Sequence, residues 1–82
     1  MAKADQLAVA FGQVLRDRRL AAGLSQEKLA LEAGVDRTFV SLLERGGRQP
    51  TLSTLWRLAE ALSVAPIDLI AGVEKARRAA KR

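Results

Sequence analysis

Residues 23–62 read GLSQEKLALEAGVDRTFVSLLERGGRQPTLSTLWRLAEAL, and the spacing of glycines, caps and aliphatic residues in that stretch decides the fold. Gly23 stands where a left-handed residue ends a preceding helix, and Ser25 is placed to cap the next one. A second helix then runs to about Ala33, with Glu27 near its positive end and Leu29, Ala30 and Ala33 on one face. Gly34 breaks the chain and Asp36 is the cap of a third helix. Val40 and Leu43 give that helix an apolar edge before the RGGR of residues 45–48 ends it. Pro50 and Thr51 open a fourth helix whose Leu52, Leu55, Leu58, Ala59 and Leu62 are expected to line one face.

Working outward, Leu7, Phe11, Val14 and Leu15 recur at helical spacing and predict a first helix over residues 5–22. At the other end Pro66 suits the first turn of a fifth helix, where its missing N–H costs nothing, and Ile67, Leu69 and Ile70 supply its apolar contacts. Gly72 is expected to end the compact part. Beyond it VEKARRAAKR, residues 73–82, has good helix formers but one large apolar residue, so it either extends the last helix or frays. The fold class is all-α, in one domain over residues 1–73 with a basic tail over 74–82.

The chain has 82 residues, no cysteine and no histidine, with 4% aromatic residues, so its core is aliphatic and has neither disulfides nor thiolate metal ligands. A chain this short buries only roughly 60–65% of its unfolded surface and gains from a partner. The net charge is +5, but the tail concentrates it: Lys75, Arg77, Arg78, Lys81 and Arg82 face only Glu74 there. Residues 1–73 are close to neutral, so an argument for nucleic acid rests on local placement rather than on total charge. No apolar run suggests a membrane span, and the MAKADQLAVAFG start lacks a basic segment leading into an apolar one. A cytoplasmic protein without cofactor, metal or small-molecule ligand is the expectation.

Two short helices joined by a glycine-containing turn of about three residues match the DNA-binding arrangement in which the second helix enters the major groove. Read together, residues 23–62 resemble the phage-repressor and Cro type of helix-turn-helix domain, the lambda repressor-like XRE family. Within it, DRTFVSLLERGGRQPTL (residues 36–52) is similar to the controller proteins of restriction-modification systems. The resemblance implies a five-helix domain with residues 37–45 as the recognition helix, acting as a homodimeric regulator, repressor or activator, on double-stranded DNA.

Arg37, Thr38 and Ser41 are the candidates for reading bases: Arg bonds guanine O6 and N7 in pairs, and Thr and Ser bond either base type. Arg37 could instead lie along phosphate. Leu42, where some phage relatives carry a polar base-reading residue, offers only an apolar contact. Gln26, at the start of the second helix, is implied as a phosphate contact that also props the recognition helix, and Arg45 and Arg48 as phosphate contacts. Phe39, grouped with these phosphate-binding residues, stands where controller-type relatives often carry Tyr; its ring packs either against the sugar of the DNA backbone or within the protein. Arg19 and Glu44 are implied as a partly buried structural ion pair. Arg18 falls close to the apolar face of the first helix, where its stem is expected to run along the core edge.

Trp56 falls about 100° from the mean apolar direction of the fourth helix. Together with Ile67 and Ile70 it is the candidate dimer interface, because the second and third helices must stay free for DNA. Leu20 is a further exposed apolar candidate.

Catalysis has no foothold: the carboxylates, Lys, Ser and Thr that remain form no convergent set, and no catalytic or metal-ligating residue is assigned. An antitoxin-like protein-interaction module with secondary DNA binding is the alternative, but the chain offers no partner-binding segment beyond its basic tail. Membrane-surface binding by that tail is weakened by its single large apolar residue.

Overall fold

The computed structural model describes residues 5–80. Among them are five α-helices and no strand: α1 (Gln6–Ala21), α2 (Gln26–Ala33), α3 (Arg37–Glu44), α4 (Leu52–Ala61) and α5 (Pro66–Ala80). Three of them open on a side-chain cap. Asp5 accepts from the amides of Leu7 and Ala8, Ser25 from that of Lys28, and Thr51 from that of Thr54. Asp36 holds the cap position of α3 in extended backbone, but its side chain makes no capping bond.

The helices end alike. In α1 to α4 the last turn closes with a pair of backbone bonds that reach past the terminus, Leu24 N–H to Arg19 O, Val35 to Ala30, Gly47 to Leu42 and Val64 to Ala59. The residue before each of these donors is left-handed: Gly23, Gly34, Gly46 and Ser63. This termination satisfies carbonyls that would otherwise be orphaned, and it turns the chain sharply enough to pack short helices against one another.

α1 runs across α3 and α5, α2 packs on α3 and α4, and α4 meets α5. The centre is aliphatic, as the composition requires: Leu15, Leu29, Val40, Leu43, Leu58 and Leu69 are fully buried, surrounded by Phe11, Ala30, Ala33 and Ala59. Each such leucine contributes about 1.5–3 kcal/mol of transfer free energy. Gly12 lets α1 lie directly on the end of α3, since a Cβ there would overlap the Leu43 carbonyl oxygen.

Several expectations are corrected. Leu52 does not share the inner face of α4; at the helix start it is 68% exposed, and Leu7 is similarly half out at the start of α1. End residues of an amphipathic helix overhang the core they point toward. Gly72 does not end the compact part but lies inside α5, close against Val14, and the helix continues through Ala80 with Val73 buried and Ala76 packed on the core. Arg18 is half-buried and Leu20 exposed. Residues 1–4, and Lys81 and Arg82 of the expected tail, lie outside the described residues. Among the described residues no helix is long and apolar enough to cross a membrane.

Candidate nucleic-acid interface

α3 is the element whose outer face is uncommitted. Val40 and Leu43 fix its inner side. At about 100° per residue, Thr38 and Arg45 then point almost straight outward, Ser41 and Leu42 sit about 50° to either side, and Arg37 lies at the edge. Arg37, Thr38 and Arg45 are exposed; Ser41 and Leu42 are half-buried. Arg45 lies back along the helix, its Nε donating to the Ser41 carbonyl at 3.3 Å. Phe39 is half-buried and packs against the core.

The orientation of α3 is held from behind by a cluster of three side chains. Arg19 from α1 donates through Nε to Glu44 Oε2 at 2.6 Å and through Nη2 to Oε1 at 3.0 Å, while its Nη1 reaches the Leu24 carbonyl at 2.8 Å. Gln26, the first residue of α2, donates its Nε2 to Glu44 Oε1 at 3.0 Å. One carboxylate thus ties the ends of three helices. The side chains of Arg19 and Glu44 are only 9% and 4% exposed, so the charges meet in a shielded place where both need a partner. The hydrogen bond to Glu44 raises the pKa of Arg19 above its already high ordinary value; burial opposes this and the charge of Glu44 adds to it. Arg19 is therefore a permanent cation.

The loop after α3 is anchored as firmly. Gly46 is left-handed at φ 75° and lies against Val9, leaving no room for a side chain. Gln49 Nε2 donates to Asp5 Oδ2 at 2.5 Å, joining the loop to the capped start of α1. Arg48 is carried outward on this anchored segment. Among the described residues the ion pairs are Arg19–Glu44, Lys28–Glu32 and Arg78–Glu74, and Arg37, Arg45 and Arg48 take part in none of them. Exposed cations on α3 (Arg37), at its end (Arg45) and in the following loop (Arg48), without a carboxylate partner among the described residues, suit a polyanion.

A family model described as helix-turn-helix matches residues 15–69, from the middle of α1 into α5. The chain belongs to the helix-turn-helix family. It is a DNA-binding transcriptional regulator, with α2 and α3 as the paired helices. The control protein C.BamHI of Bacillus amyloliquefaciens is 40% identical to this helix-turn-helix protein over 67 residues, covering 80% of this chain and 83% of the relative. Among solved structures, the restriction-modification controller protein C.AhdI of Aeromonas hydrophila is 48% identical, covers 76% of this chain and 94% of its own, and superposes with a TM-score of 0.74. The controller protein C.Esp1396I, solved as a tetramer in complex with its natural 35 base-pair operator, is 30% identical, covers 87% and 93% of the two chains, and has a TM-score of 0.79.

A second surface of this helix-turn-helix protein is apolar. Trp56 is 48% exposed one turn from Leu52 on α4, and Ile67 and Ile70 of α5 are 74% and 45% exposed. Ile70 lines a hollow of about 220 Å³ with Leu7, Phe11, Gln49, Pro50, Leu55 and Val73. Sequence reasoning named Trp56, Ile67 and Ile70 but placed Leu52 inside. It also missed Asp5 with Gln49, a pair separated by 44 positions, which no local pattern announces. The lone Gly12 inside a helical pattern was the available signal for the close approach of α1 to α3.

Proposed function

We propose that this regulator acts as a homodimer on an inverted-repeat operator, each protomer seating α3 in the major groove. Arg37, Thr38 and Ser41 are assigned to base edges. Arg45 and Arg48 are assigned to phosphates, and so is Gln26, whose amide keeps hydrogen-bonding capacity beyond its bond to Glu44. Phe39, half-buried against the core, is assigned to the sugar-phosphate backbone beside them. The observation that carries this reading is the outward face of α3, flanked by unpaired arginines and fixed in direction by Arg19, Glu44 and Gln26.

One recognition helix reads only a few base pairs. Two copies about a two-fold axis read half-sites about one helical turn, ~34 Å, apart and multiply the discrimination. Trp56, Ile67 and Ile70, with Leu52 beside them, are assigned to the two-fold contact, on helices that leave α2 and α3 free. The basic end of α5, with Lys75, Arg77 and Arg78 exposed, adds sequence-independent attraction to the DNA backbone.

An electrophoretic shift with duplex from upstream of the gene, against a scrambled competitor, tests the reading. A specific complex at the size of two protomers supports it. Equal retention of both duplexes, or a complex of one protomer, contradicts it.

A further inference from the structure

Leu42 is half-buried beside Gly47, and the part of it left exposed lies about 50° from the outward axis of α3. In the helix termination shared by α1 to α4, the residue one past the left-handed position is normally apolar and folds back onto the preceding turn. Leu24, Val35 and Val64 occupy that place after α1, α2 and α4, and each packs against the core. After α3 the place is taken by Gly47, whose N–H donates to the Leu42 carbonyl at 2.9 Å but which has no side chain to cover it. A Cβ on Gly47 would lie 3.6 Å from Leu42 Cδ2, so the gap is where a covering side chain would sit. Leu42 is half-buried yet absent from the hydrophobic residues packed on the core, unlike Phe39 of the same helix.

Leu42 also projects closer to the outward axis of α3 than Arg37 does, one turn from Thr38. The exposed part of its isobutyl group excludes water from whatever base edge it meets and can offer no hydrogen bond. The feature of the major groove that rewards such a group is the C5-methyl of a pyrimidine.

We infer that Leu42 is a specificity determinant that reads a C5-methylpyrimidine, thymine in unmodified DNA. This rests on the seating of α3 in the major groove proposed above. The apolar contact makes one position of each half-site depend on a single methyl group. It also makes that position responsive to cytosine methylation, because 5-methylcytosine presents the same methyl in the same place.

The test begins with an operator selected by the wild-type protein from random duplex. Each thymine is then replaced singly by deoxyuridine, which removes only the methyl, and affinity is measured for the wild type, Leu42→Ala, Leu42→Met and Thr38→Ser. At one thymine per half-site, loss of the methyl weakens the wild type about fourfold, the effect of exposing one buried methyl. The same change leaves Leu42→Ala unaffected and still weakens Leu42→Met and Thr38→Ser. With a C·G pair at that position, methylating the cytosine at C5 strengthens wild-type binding by a similar factor and does nothing for Leu42→Ala. A methyl effect that survives in Leu42→Ala, or vanishes in Thr38→Ser, assigns the contact elsewhere and overturns the inference. An operator with no methyl-sensitive thymine overturns it while leaving DNA reading intact, whereas failure to select any operator overturns the DNA reading itself.

Discussion

Arg19 and Glu44, 25 positions apart in sequence, meet through two hydrogen bonds in a place shielded from solvent, and Gln26 shares the same carboxylate. Removing either charge strands the other. Arg19→Ala and Glu44→Ala are each expected to lower stability by about 3–5 kcal/mol, and Arg19→Met with Glu44→Leu by much less than the sum, because no charge is left unpaired. Denaturant unfolding of the four proteins checks this. The raised pKa of Arg19 means that its contribution is complete below its ordinary value and is lost only in strong alkali. Neutralising Arg19 therefore contributes no change in stability between about pH 5 and 10.

The two adjacent glycines after α3 are expected to respond in opposite directions. Gly46→Ala forces a Cβ to 2.9 Å from Val9 in left-handed backbone and should cost about 1–2 kcal/mol. Gly47 has no positive φ, and a Cβ there meets Leu42 at ordinary contact distance. Gly47→Ala should gain about 0.4–1 kcal/mol by restricting the unfolded chain. Gly12→Ala, which pushes α1 off the end of α3, should cost about 3 kcal/mol. Thermal melts of the three variants decide the order.

Much of this was legible because the chain signals its turns locally. Ser25, Thr51, Pro66 and the glycines at 23, 34 and 46 mark helix boundaries within two residues of where they fall, and the periodic leucines mark the core. What escaped is whatever depends on elements meeting. Leu52 has the right period to face inward, yet lies beyond the reach of the core. Gly72 has the look of a terminator, but its lack of a side chain serves the close passage of Val14 instead. The partial exposure of Leu42 goes with the absence of a side chain at Gly47, which becomes meaningful only once the same termination is seen in three other helices.

Trp56 should weaken association when truncated. Trp56→Ala is expected to cost the dimer about 2 kcal/mol or more, as buried aromatic anchors do, while the monomer melts nearly as before because the ring is half-exposed. Sedimentation across micromolar concentrations measures it. An unchanged dimer would leave Trp56 as the rim of its own core, and a wild-type chain that stays monomeric would remove the two-fold model.

The basic end of α5 should act through salt alone. Replacing Lys75, Arg77 and Arg78 with Gln keeps the helix and Ala76 in place, and is expected to leave base preference unchanged. The slope of log affinity against log salt should flatten by about 0.9 for each phosphate that is no longer neutralised. An unchanged slope would mean that this end is solvated in the complex.

The most direct test of the central claim, that α3 reads base edges, is the affinity of wild type and Arg37→Ala for the operator and for every single-base variant of it. The expected result is a loss of about 1–3 kcal/mol for Arg37→Ala on the operator, with preference relaxed at one guanine per half-site and kept elsewhere. Equal weakening on every sequence would place Arg37 on phosphate and contradict its assignment. A wild-type protein indifferent to all the variants would contradict the claim that α3 reads DNA at all.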